Sequence, residues 1–117
     1  MPAYALAHLR RVDPHPEVLE YMEKIQATLD PFSGRFIVHG GAVEMREGTW
    51  PGNLVLIEFP DMAKARSWYD SPEYQQILPL RTRHIEGDTI LVEGVEPGHD
   101  SAKMASELRK ADWLTKP

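Results

Sequence analysis

The side chains best suited to chemistry in this 117-residue chain are His8, Arg35, His39 and Glu58. Each falls inside a run that reads as strand. A histidine beside a carboxylate moves protons near neutral pH. An arginine clamps a carboxylate or an enolate through two parallel N–H bonds. Such a quartet suits acid–base catalysis on an aromatic or enolic compound, with proton transfer from the histidines and glutamate and charge stabilisation from the arginine. Tyr4, Trp68 and Tyr69 offer flat surfaces on which that substrate would stack. A plainer reading stands beside this one. The histidines are then hydrogen-bonded strand residues, Arg35 pairs with Glu58 or Asp61, and the aromatics belong to the core or its rim.

Other chemistries find little material. The chain has no cysteine, which excludes disulfides, thiolate nucleophiles and cysteine-held metal clusters. His15, His84 and His99 read as isolated loop or tail residues, so neither a metal site nor a cofactor is expected. His8 and His39 would lie about 10 Å apart if a third strand separates theirs, too far to share an ion at about 2 Å per bond. Gly40-Gly41 lacks the Lys-Ser/Thr of a phosphate loop and opens no helix. Ser71 lies in helix-start chemistry and not in a Gly-x-Ser-x-Gly elbow.

Charge narrows the partners. The formal net charge is −5, without the broad positive field that nucleic acid or an anionic membrane requires. The pairs Arg10/Arg11 and Arg81/Arg83 read as solvated surface. The first residues, Met1-Pro2-Ala3-Tyr4-Ala5-Leu6, carry no basic leader pattern. The longest apolar run, Leu54-Val55-Leu56-Ile57, is far short of the roughly 20 residues of a membrane span. A cytoplasmic protein is the expectation.

The elements that must position these residues follow from periodicity. Alternation over Tyr4–Val12 predicts a first strand, and its run of alanines suggests close approach by another layer. Asp13-Pro14-His15-Pro16 ends that strand and opens a helix. Val18, Met22, Ile25 and Leu29, with Tyr21, form its apolar stripe, and Asp30-Pro31 stops it. Arg35–His39 is the second strand. Gly40-Gly41 suggests a bulge or close backbone approach, with alternation resuming at Val43 and Met45. Leu54–Phe59 is the third and most apolar strand. Asp61 caps a helix with Ala65 and Trp68 inward, and Ser71-Pro72-Glu73 starts another that Pro79 should end or kink. Gly87-Asp88 reads as a turn before a last strand over Thr89–Val95.

The order strand, helix, strand, strand, helix, strand is that of an α+β, ferredoxin-like βαββαβ unit, a four-stranded antiparallel sheet with helices on one face. This domain spans residues 1–96. Residues 97–117 form a separate helical tail whose Trp113 and Leu114 imply docking on this chain or a partner. Two helices leave one apolar sheet face bare. Leaving it in water costs roughly 25 cal/mol per Å², so a homodimer through that face is expected.

Particular strings sharpen this. Gly34-Arg35-Phe36, Gly40-Gly41, Ile57-Glu58-Phe59-Pro60, Ala65-Arg66-Ser67-Trp68-Tyr69-Asp70-Ser71-Pro72-Glu73-Tyr74, Gly87 and Leu91-Val92-Glu93-Gly94 together resemble the domain of unknown function 1330 (DUF1330) family over about residues 3–96. The resemblance implies the dimeric α/β barrel superfamily, which includes cofactor-free monooxygenases, heme-degrading enzymes, muconolactone isomerases and chlorite dismutases. It carries no particular reaction, and it does not reach the tail. Members commonly continue a helix where Pro79 stands here. Two functional readings result: a homodimer binding a small organic molecule between sheet and helices, or a non-catalytic dimerisation module.

Overall fold

Strand β1 (Ala3–Val12) sits between two antiparallel neighbours, and its alternating side chains divide the molecule into two faces. The computed structural model describes residues 1–115; the final two residues of the tail expected over 97–117 lie outside the described residues. β3 (Asn53–Phe59) and β4 (Ile85–Glu93) flank β1, and β2 (Arg35–His39) forms the far edge. The order is β2-β3-β1-β4 in one four-stranded sheet, with every pairing antiparallel. This is the expected ferredoxin-like arrangement, followed by a C-terminal arm.

Helices α1 (Pro16–Leu29), α2 (Met62–Asp70) and α3 (Pro72–Thr82) follow the strands as their start signals require. His15 caps α1 through Nδ1, which accepts from the Glu17 backbone N–H. Asp61 caps α2 by accepting from the Lys64 N–H. Ser71 caps α3 while its own hydroxyl donates to the Trp68 carbonyl, joining the two helices through one residue.

The core lies between these helices and the face carrying Ala3, Ala5, Ile57 and Phe59, against which Leu29, Ala65, Trp68, Tyr74 and Ile77 pack. Alanines on β1 leave room for Trp68 and Tyr74 above them. Gly34 is fixed by the same packing, since a Cβ there would stand 2.6 Å from the Phe59 ring.

Several expectations are corrected. On α1 the buried residues are Tyr21, Ile25, Thr28 and Leu29, while Met22 is exposed. Thr28 is tolerated inside because its hydroxyl donates to Ile25 and accepts from the Trp68 indole. Pro79 does not stop α3, which runs on to Thr82. Leu78 and Leu80 pack against the core on either side of it, offsetting the lost backbone bond. The glycine pair bulges nothing: β2 ends at His39, no strand resumes at Val43, and a Cβ on either glycine would meet nothing. Gly87 lies inside β4, which begins at Ile85. A Cβ there would lie 2.3 Å from the His8 carbonyl oxygen, so the backbones approach where β1 is bulged between Leu9 and Arg11.

Beyond β4, α4 (Ser101–Lys110) and a single 3-10 turn (Trp113–Thr115) form an arm that packs on itself and little else. The radius of gyration, 17.1 Å, exceeds the roughly 13 Å of a compact chain this long.

Candidate functional site

The paired registers place each candidate residue on one of two faces. Ala5, Ala7 and Leu9 on β1 share the helix-side face with their partners Ile57, Val55 and Asn53 on β3. Tyr4, Leu6 and His8 lie on the opposite, open face with Glu58, Leu56 and Leu54. Arg35 pairs across to Glu58 and joins that open face. His39 does not. A register shift between Phe36 and Val38 sets His39 opposite Val55, on the helix side. One inserted residue reverses the face of everything beyond it.

The four proposed catalytic residues are therefore not gathered in one pocket. Arg35 donates from Nε and Nη2 to Glu58 Oε1 at 3.0 and 2.7 Å. His8 stacks on Trp50 at 3.9 Å, and its Nε2 donates to the Pro51 carbonyl at 2.6 Å, so the β2–β3 loop folds back on the open face. His39 stacks on Phe36 at 4.3 Å. Of the aromatics, Tyr4 is on the open face, Trp68 is core, and Tyr69 packs at the core's edge.

What the helix-side face does enclose is a cavity of about 70 Å³ between α1, α3 and the sheet. Its walls are mostly apolar: Ala5, Ala7, Ile25, Phe36, Val55, Ile57 and Ile85 contribute, with Trp68 beside them. The polar groups are few: Tyr21, Tyr74, Arg81, His39 and Thr89. Tyr21 and Tyr74 hydroxyls are 2.8 Å apart and buried. The Arg81 guanidinium stands over the Tyr21 ring, 5.7 Å from its centroid. Burial pushes the Tyr21 hydroxyl well above the ordinary phenol pKa, and Tyr74 beside it adds to the shift. Burial works against the Arg81 charge, yet the facing phenols Tyr74 and Tyr21 outweigh it and raise its pKa. Tyr21 thus keeps its proton and the guanidinium its charge.

Sequence reasoning missed Arg81, Tyr21 and Tyr74. Arg81 was assigned to solvated surface beside Arg83, yet it is half-buried and lines the cavity. The available signal was helical spacing: Tyr74, Ile77 and Arg81 fall at i, i+3 and i+7 on one side of α3.

A second cluster lies at the start of α1. His15 and His84 stack at 3.8 Å, nearly parallel, and with Glu17 their ligand-type atoms fall within 4.8 Å of one another. The two are thus not isolated, as their sequence positions suggested. His84 Nε2 donates to Glu17 at 2.7 Å, and Arg83 pairs with the same carboxylate at 3.2 Å. Parallel stacked rings do not aim both lone pairs at one ion, and Arg83 already neutralises the carboxylate. The arrangement works as a clamp between α1 and the α3–β4 turn.

A family model described as a domain of unknown function, DUF1330, matches residues 2–95. The chain belongs to the DUF1330 family. The match ends where the arm begins. Comparison with curated proteins returns no match. Among solved structures, a protein of unknown function from Rhodopseudomonas palustris is similar at 16% identity and a TM-score of 0.62, covering 82% of this chain and 84% of that one. A dimeric ferredoxin-like protein of unknown function from Jannaschia sp. CCS1 shares 15% identity at 0.53, covering 80% and 100%. SnoaB, a cofactor-independent oxygenase from Streptomyces nogalater, shares 10% identity at 0.53, covering 85% and 97%. At these identities the likeness establishes the fold shared by this DUF1330 chain. No helix among its described residues is long and apolar enough to cross a membrane.

Proposed function

We propose that this DUF1330 protein is a homodimer that binds a small organic molecule in the cavity between helices and sheet. The observation that carries the ligand reading is the cavity itself: apolar walls with a few polar groups, the usual composition of a binding pocket. Its 70 Å³ is well under the roughly 300 Å³ at which drug-sized pockets begin. The ligand is accordingly compact, on the scale of one small ring or a short chain. Of the residues whose types suggested a site, His39 and Trp68 line this cavity and would touch the ligand. Arg35, Glu58, His8 and Tyr4 belong instead to the sheet face assigned to the second copy.

Self-association is supported by that open face. Ile90 and Val92 on β4 are 52% and 41% exposed, and Leu6, Leu54 and Leu56 are only half-covered. The Jannaschia protein with this fold is described as dimeric. A thermal-shift screen with small aromatic acids, enolic acids, quinones and heme tests the ligand reading. Small acids are expected to stabilise, and heme, far too large, is not. Stabilisation by none of the small compounds would leave the reading without support. The alternative, a dimerisation module without small-molecule chemistry, is favoured by the closed Arg35–Glu58 pair and the satisfied His8.

A further inference from the structure

The donors around the cavity outnumber the acceptors that face them. A pair of hydroxyls shares one hydrogen bond and uses one of its two protons. Tyr21 and Tyr74 are such a pair, so one tyrosyl proton has no acceptor among the described residues. Arg81 adds a cation in the same wall. Arg83, two residues on, is paired with Glu17. The groups that bear on Arg81, by contrast, are the two phenols, through charge and hydrogen bonding, and no carboxylate. A cation in a partly dry site is costly without an opposing charge. What stays unmet is a tyrosyl proton and the charge of Arg81, both calling for an anionic acceptor, and they meet at a cavity lined mostly by hydrocarbon.

We infer that the cavity takes a small monoanion, a carboxylate or an enolate on a compact apolar body, with Arg81 and the Tyr21–Tyr74 pair receiving the anionic oxygen. The inference rests on the cavity being a ligand site. The apolar body lies along Ala5, Ala7 and Ile57, and the charge points at α3. Arg81 binds by charge and by N–H donation; the tyrosyl proton completes the oxygen's shell.

Benzoate and butyrate, set against benzamide and butyramide, separate the possibilities. Binding is followed by two-dimensional NMR, including the Arg81 side-chain Nε–H signal of the unaltered protein, which needs no variant to fold. The acids are expected to bind at least roughly tenfold tighter than the amides and to shift that signal. Arg81→Met should remove the preference while leaving weak amide binding in place, and Tyr74→Phe should reduce it in part. Equal binding of acids and amides, or an Arg81 signal that does not move, would overturn the anion and leave the cavity reading standing. Binding of neither class at millimolar concentration would overturn both.

Discussion

The two faces of one sheet are built from the same strands and meet opposite fates. On β1, Ala3 and Ala5 are sealed under helices, while Tyr4 and Leu6, one residue away, are only half-covered. The sealed face uses small residues so that Trp68 and Tyr74 fit above them; the other carries larger residues, and the β2–β3 loop reaches over it at His8. Alternation alone produces both, because side chains along a strand point to opposite sides. Hydrophobicity therefore does not distinguish the covered face from the open one here. What distinguishes them is which face the crossover helices cover.

Breaking the sealed face should have the largest effect. Trp68 is 2% exposed, packs on Tyr74 at 4.1 Å and donates to Thr28 at 3.0 Å. Trp68→Ala should cost about 3–5 kcal/mol, from lost burial and the lost indole hydrogen bond to Thr28. Urea denaturation should give that loss at every protein concentration. A loss below about 1 kcal/mol would mean that the packing between α2 and α3 is not what holds the core.

On the open face the same kind of change should read differently. Ile90→Lys places a charge on a half-exposed strand position and costs the single chain little. It should nevertheless convert the proposed dimer to monomer in sedimentation at micromolar concentration, and remove any dependence of the unfolding midpoint on protein concentration. A wild-type chain that sediments only as monomer would refute the assignment of this face.

The arm supplies a third apolar surface. Trp113 and Leu114 are 56% and 74% exposed, and α4 leans on little in the body. Removing residues 97–117 should change the stability of the body by less than about 0.5 kcal/mol, the scale of surface changes. Amides of α4 should exchange with solvent far faster than those of β1. Strong protection there would show that the arm is docked in solution and belongs to the interface.

Much of this division was legible in the sequence. Caps at Asp61 and Ser71, the proline starts and the strand periodicity gave the element order, and the element order gave the bare face. The site was less legible for two physical reasons. A bulge at Phe36–Val38 turned His39 away from Glu58, and nothing in the residue types marks a bulge there. Arg81 looked like surface because arginine normally is, and that expectation outweighed its place on the same side of α3 as the buried Tyr74 and Ile77. The cluster of His15, Glu17 and His84 joins residues 67 apart in sequence, a contact that no local pattern encodes.

That cluster carries the smallest predicted effect, and it tests how the sealed layer is fastened at its margin. The hydrogen bond from His84 holds the Glu17 carboxyl below its ordinary value of 4.5, with Arg83 and His15 assisting against partial burial. A carboxyl that is more acidic in the folded chain binds fewer protons there than in the unfolded one. Its contribution to stability is thus full above about pH 4.5 and fades as the pH falls through the depressed folded value. Glu17→Gln removes the charge and with it that contribution. Wild type and variant should differ by a small, constant amount near neutral pH in urea titrations, and the two curves should converge in acid. A gap that widened as the pH fell would mean that Glu17 is protonated more readily in the folded chain, and that the clamp between α1 and the α3–β4 turn does not form in solution.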